Sequence, residues 1–356
     1  MQERVPQRLP VLHRSRKDLC PAYVPNPCAP NRGSGKAMGR PRLVFVHGIG
    51  GPRDARADLD EWLRATAHGA RAAGHSARIS GLLGGWAADA RFAYYGDLFR
   101  RSGAQGGPAA GAQDEDALVA LLQEAVDERL TDPELTPAEA AALRRARAQL
   151  APTGRAQGAG APARHAVNAL TSLLALPGLR ATGGWLTART TAGMLGQVAR
   201  YLNRAEPDER GAALDDRIRS RVAECLDREG PTVVVAHSLG TVVALETLHA
   251  HRASVPLLIT LGSPLGIRTA VQPRVRPQPL GTPECVGRWL NFWDRDDLVA
   301  ARPALEKFVR PNAAGALPVS GRVDSDGAWV HPAAKYLAQP AVAGPLVEAL
   351  TTAGGR

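Results

Sequence analysis

The sequence is poor in several features that classify a chain quickly. It has four cysteines in 356 residues, Cys20, Cys28, Cys225 and Cys285, with no metal-ligand spacing among them. They read as free thiols in a reducing compartment. No stretch of about 18 uninterrupted apolar residues occurs, so no membrane span is expected. The N-terminal "MQERVPQRLPVLHRSRKDLC" lacks the apolar core of a signal peptide, which makes a cytoplasmic protein the expectation. Lysine is scarce, and most of the 44 basic residues are arginine, a bias that fits a GC-rich bacterial genome. The net charge of +10 is not a nucleic-acid signature. Residues 1–37 hold seven Lys/Arg against two Asp/Glu, half of the total, and the body has no basic run with interleaved aromatics.

What is present has an α/β rhythm. Residues 1–40 are rich in Pro, Arg and Gly without periodicity and read as a disordered basic tail, with Met38 an alternative start just before the folded pattern. "RLVFVHG" (42–48) reads as a buried strand, and the next segment, with Leu59, Trp62, Leu63 and Thr66 on one face, as a helix stopped at Gly74. "ARFAYYGDLF" (90–99) reads as a strand across which Tyr94 and Tyr95 alternate, so that one of them faces the core. Residues 101–206 break the rhythm as a helical insertion, with a capping box expected at Thr136 and Glu139. The rhythm resumes with helix 208–228, strand 231–236, helix 239–251, the strands in "VPLLITLGSPLG" and "GRWLNFWDRDD", and C-terminal helices. Fully apolar strands alternating with helices imply a mostly parallel sheet covered on both faces. The expected organisation is a tail (1–40), a first core segment (41–100), the insertion (101–206) and a second core segment (207–356).

"PTVVVAHSLGTVVAL" (231–245) concentrates the chemistry. A strand ends, Ser238 sits in a tight turn, and a helix begins at Leu239. Such a turn strains the serine backbone and demands small residues two positions either side, a demand that Ala236 and Gly240 meet. The helix N-terminus beyond favours a negative oxygen there. A serine nucleophile needs an adjacent base and an orienting acid. Of the histidines near or after it, His237 belongs to the turn and is expected to point away. His249 and His251 lie about 16–20 Å along the departing helix. His331 remains. "NFWDRDDLVA" offers Asp294, Asp296 and Asp297 as acids.

Through Ala-His-Ser-Leu-Gly and the upstream His47-Gly48-Ile49 turn, the chain resembles α/β-hydrolases of the lipase/esterase type over residues 42–100 and 208–350. Alanine stands where the family's Gly-x-Ser-x-Gly has its first glycine. The resemblance implies the α/β-hydrolase fold and a triad in the order Ser238, acid, His331. It implies an oxyanion hole from the backbone N–H groups of Ile49 and Leu239. An acid two residues before a valine selects Asp297, with Asp294 the alternative. The expected activity is hydrolysis of a carboxylic ester, small or lipid-like, through an acyl-enzyme, without metal or organic cofactor. The insertion would be a lid over the site, an oligomer contact or a membrane-surface helix pair. The same triad serves peptidases, thioesterases and acyltransferases, and a non-catalytic binding protein on the same fold is the rival of a different class. Ser263 in "TLGSPLG" is expected to shape the pocket, and Trp62, Trp86, Trp289 and Trp293 to fill the core.

Overall fold

A computed structural model describes residues 41–48, 54–77, 88–99, 119–120, 122–151, 169, 196–297, 299–300, 303–325 and 330–354. The tail, Met38, Ile49, Trp86 and much of the 101–206 insertion lie outside the described residues. Six strands form one sheet: β1 (Arg42–Val46), β2 (Asp89–Ala93), β3 (Thr232–His237), β4 (Leu258–Leu261), β5 (Trp289–Asp294) and β6 (Pro318–Val323). Their order is β2-β1-β3-β4-β5-β6, and every neighbouring pair is parallel.

The side-chain alternation of these strands divides the core in two. Val44, Val46, Val234, Ala236, Leu258 and Trp289 face one layer, and Leu43, Phe45, Val233, Val235, Ile259 and Phe292 face the other. The first face packs against α3 (Leu214–Cys225) and α4 (Leu239–Leu248). The same cluster takes in apolar side chains of helices over 122–129 and 196–203 and of α2 (Pro137–Leu150). The second face packs against α1 (Ala55–Ala72), α5 (Ala333–Leu337) and α6 (Pro340–Gly354). β3 is buried along its whole length, which explains why its middle, residues 233–236, is an unbroken apolar run rather than an alternation. The fold is therefore α/β, with an all-parallel sheet between helical layers.

Several local expectations change. The chain leaves β2 at Ala93, so Tyr94 and Tyr95 do not alternate across a strand; both are buried, and a short 3-10 turn covers Gly96–Phe99. Helix 208–228 shortens to α3 because the Asp208 carboxylate accepts from the Arg210 and Ala212 N–H groups and holds a turn ahead of it. The helix after the serine likewise ends at Leu248 rather than residue 251. β6 adds a strand to those expected from the sequence. The capping box at Thr136 and Glu139 is present as expected. Cys285 is a free thiol, and Cys20 and Cys28 lie outside the described residues.

The topology makes a site at one edge of the sheet. From β1 the chain crosses outward to β2, then returns to β3 on the other side of β1. The connections diverge above the carboxyl ends of β1 and β3, where parallel sheets open a crevice. His47-Gly48 follows β1 and Ser238 follows β3, so both lie at that point. Ser263 follows β4, the three aspartates end or follow β5, and His331 follows β6, all at the same edge.

Candidate active site

The turn at Ser238 is built by a conflict between strand and helix. Its backbone sits at φ 54°, ψ −130°, one of three positive-φ non-glycine residues among those described. Such a conformation costs roughly 1–3 kcal/mol and persists only where the surroundings over-determine it. Here the Ser238 N–H donates to Leu261 O at 3.0 Å, while the Thr241 N–H and hydroxyl donate to Ser238 O at 2.9 and 2.8 Å. Ser263, itself buried, lies 2.7 Å from the Thr241 hydroxyl, which places it in the support of this turn. The turn tolerates no side chain at Gly240: a Cβ there would stand 2.3 Å from His47 O and 2.5 Å from Val46 O. A Cβ at Gly48 would stand 2.6 Å from Ser238 Cβ. The His-Gly turn and the serine turn are thus pressed backbone to backbone.

His47 is buried within that contact. Its Nε2 accepts from the Tyr95 N–H at 3.1 Å, and its carbonyl accepts from the Tyr95 hydroxyl. The ring lies 4.1 Å from the Tyr95 ring, nearly parallel to it. Burial pushes the Tyr95 hydroxyl pKa far up, so it stays a donor. Leu239 begins α4, and its N–H is one of the helix-start donors without an intrahelical acceptor. Ile49, the other expected oxyanion donor, lies outside the described residues.

His331 reaches Ser238 across 93 positions of sequence. Its Nε2 is 3.1 Å from Ser238 Oγ, and its Nδ1 is 2.9 and 2.8 Å from the two oxygens of Asp297. An ionised carboxylate only accepts, so Nδ1 carries the proton and Nε2 is the acceptor facing the serine hydroxyl. All three side chains are buried. Asp297 also accepts from the Tyr336 hydroxyl at 2.7 Å and from the Val299 N–H at 3.0 Å. Burial alone would raise the Asp297 pKa; the His331 charge, then the hydrogen bonds from His331, Tyr336 and Val299, outweigh it and hold the carboxyl below its usual range. Gly262, at φ +52°, floors this pair: a Cβ there would stand 2.6 Å from Asp297 Oδ2.

The other two aspartates are elsewhere. Asp294 is buried but occupied, accepting from the Asp296 N–H at 2.9 Å and the Ser325 N–H at 2.7 Å. Asp296 is an exposed side chain 3.2 Å from Arg129. His237 does not point away from the site. Its Nε2 lies 2.6 Å from the His331 carbonyl, to which it can only donate, and the two rings are 4.6 Å apart. It braces the loop that carries His331. His249 instead meets Gly281 O at 3.2 Å. Trp62 and Trp289 are core residues, whereas Trp293 is half-buried and lines a cavity of about 360 Å³ with Asp297, Arg129 and Arg295. That cavity lies behind the acid, and neither Ser238 nor His331 lines it.

Nothing among known families, curated proteins or solved structures matches this chain.

The site therefore stands on its own geometry. Among the described residues no group of His, Cys, Asp and Glu is arranged to hold a metal ion, and no helix is long and apolar enough to cross a membrane. What the arrangement offers is a hydroxyl aimed at an imidazole nitrogen, with a carboxylate behind the ring. That is the geometry of an activated oxygen nucleophile. Tyr336, Gly262 and the role of His237 were not found in the sequence. The only available signal was the tyrosine five residues after His331 in "HPAAKYL".

Proposed function

We propose that this chain is a serine hydrolase of the α/β-hydrolase type that cleaves a carboxylic ester through an acyl-enzyme. The observation that carries the reading is the relay of Ser238 Oγ, His331 Nε2 at 3.1 Å and Asp297 at 2.8 Å from Nδ1, mounted on a positive-φ serine between strand and helix. The sheet order supports the fold assignment. The serine strand β3 is internal, and the strands leading to the acid and the base follow it outward in the order Ser, Asp, His.

In the proposed reaction His331 Nε2 takes the hydroxyl proton as Ser238 Oγ attacks the ester carbonyl. Asp297 holds the ring in the tautomer that accepts at Nε2 and stabilises the imidazolium that forms. The carbonyl oxygen becomes negative and is met by the N–H groups of Leu239 and Ile49, donors worth roughly 3–4 kcal/mol each in sites of this kind. Collapse expels the alkoxide, which takes the proton from His331 and leaves as the alcohol. Water then attacks the acyl carbon as His331 removes its proton, the bond to Ser238 Oγ breaks, Oγ takes that proton back from His331, and the carboxylic acid departs.

A graded panel of p-nitrophenyl esters, with matching thioesters and anilides, tests the reading and ranks the acyl classes. The wild type should turn over esters, and Ser238→Ala should lose activity on the order of a million-fold while keeping its fold. Pure mutant protein retaining more than about a tenth of the wild-type rate contradicts the assignment. Hydrolysis of thioesters or anilides in preference to esters moves the substrate class while leaving the nucleophile in place.

A further inference from the structure

Tyr336 is buried in α5, and its hydroxyl lies between the end of β5 and the turn that follows it. The Asp294 N–H, at the last position of β5, donates to the hydroxyl oxygen at 3.0 Å. That donation points the hydroxyl proton the other way, to Asp297 Oδ2 at 2.7 Å. Asp297 Oδ1 is meanwhile held by the Val299 N–H at 3.0 Å. One donor on each oxygen fixes the plane of the carboxylate, and the remaining approach is filled by His331 Nδ1, nearly equidistant from both oxygens. Asp294 adds a second tether, because its Oδ2 takes the Ser325 N–H at 2.7 Å at the start of the loop leading to His331. Burial, then the charge of Asp297, raises the Tyr336 pKa well above its usual value, so the group remains a neutral donor.

We infer that Tyr336 is a positioning residue for the acid, whose hydroxyl orients Asp297 and competes with His331 Nδ1–H for its charge. The inference rests on the proposed triad but makes a separate claim about it. A ring that merely filled space would serve equally well as phenylalanine. A hydroxyl that shares the carboxylate must weaken the Asp297–His331 hydrogen bond by the amount of charge it draws off.

The test uses two variants of the full chain with opposite expected signs. Tyr336→Phe keeps the ring and removes the donor. Its kcat on a p-nitrophenyl ester should fall about 10- to 100-fold with KM unchanged, the usual range when an orienting partner is lost. The low-field proton resonance of His331 Nδ1–H should move downfield as the carboxylate charge concentrates on that bond. Incorporating 3-fluorotyrosine at position 336 keeps ring and hydroxyl but makes a stronger donor, and the same resonance should move upfield. Because this variant changes one atom, it decides the matter even if Tyr336→Phe fails to fold. A resonance that stays in place in the fluorinated protein overturns the inference. So does a Tyr336→Phe protein with kcat within about twofold of wild type, well inside the loss expected of an orienting partner. Failure of the hydrolase reading is distinct: it would appear as a wild-type protein that turns over no acyl substrate, whatever the resonance does.

Discussion

Exchanging the acid for its amide separates the three aspartates that end and follow β5. In Asp297→Asn, one carboxylate oxygen becomes an NH2 group of nearly the same size. The site supplies donors from His331, Tyr336 and the Val299 N–H, so at least one donor must then face another donor. The imidazole relieves the conflict by placing its proton on Nε2, which leaves Nδ1 to accept and removes the base from Ser238. This change of tautomer costs roughly ten-thousand-fold in kcat in the serine protease for which it is best known, or about 5.5 kcal/mol at 1.36 kcal/mol per decade. In Asp294→Asn the lost acceptor faces the Asp296 or Ser325 N–H, neither of which enters the proton relay. The cost there should be about 1–3 kcal/mol of stability for a buried unpaired group, with the folded fraction keeping its rate within about tenfold. Asp296→Asn changes an exposed side chain and should be near wild type in both respects. Initial rates on one activated ester, beside thermal melts of each protein, resolve the series. If Asp294→Asn loses the thousands-fold and Asp297→Asn does not, the tautomer argument is refuted.

Other expectations follow from neighbouring contacts. Gly240→Ala drives a methyl into the His47 and Val46 carbonyls, so activity should fall by about 100-fold while circular dichroism stays native; a fully active variant would mean the turn has slack. Arg204 bridges buried Asp215 and Glu246 at 2.6 Å each, and Arg204→Ala should destabilise by about 3–5 kcal/mol, read from chemical denaturation with Arg219 still in place; a change under about 1 kcal/mol would show Arg219 suffices. Acid should weaken the fold through Asp297 and Asp215. For Asp215, burial raises the pKa, but hydrogen bonds and charge from Arg219 and Arg204 bring it below the ordinary range. Because both folded values lie below the unfolded ones, their stabilisation is complete above about pH 4 and is lost as the pH falls through the folded values. Melting temperature against pH should therefore decline below about pH 4, more gently in Asp215→Asn; an unchanged slope in that variant would remove Asp215 from the account.

What could be read from the sequence was whatever is written locally. The runs that became β1, β3, β4 and β5 are apolar because both faces of those strands are covered, and the turn after β3 shows its need for small residues within five positions. β6 escaped because an edge strand carrying Pro318, Ser320, Gly321 and Arg322 has neither the composition nor the burial of an internal one. Ser238, His331 and the three aspartates could be singled out by type and order, but their distances are set by the sheet, which brings together residues 34 to 93 positions apart. Tyr336 and His237 act through hydrogen bonds to one carboxylate and one carbonyl, and no residue pattern encodes such partners. The expectation that His237 points away failed for this reason. Its place in the turn was legible, but the loop returning after β6 to meet its ring was not.

The central claim is that Ser238 Oγ is a nucleophile activated by His331. Incubation of the full chain with a fluorophosphonate, followed by proteolysis and mass spectrometry, tests it without knowledge of the substrate. A single covalent phosphonate should form on Ser238, at a rate that collapses in His331→Ala and in Asp297→Asn, with loss of ester hydrolysis in step with labelling. Absence of an adduct on Ser238 in a preparation that hydrolyses esters, or an adduct that forms as fast without His331, would contradict it.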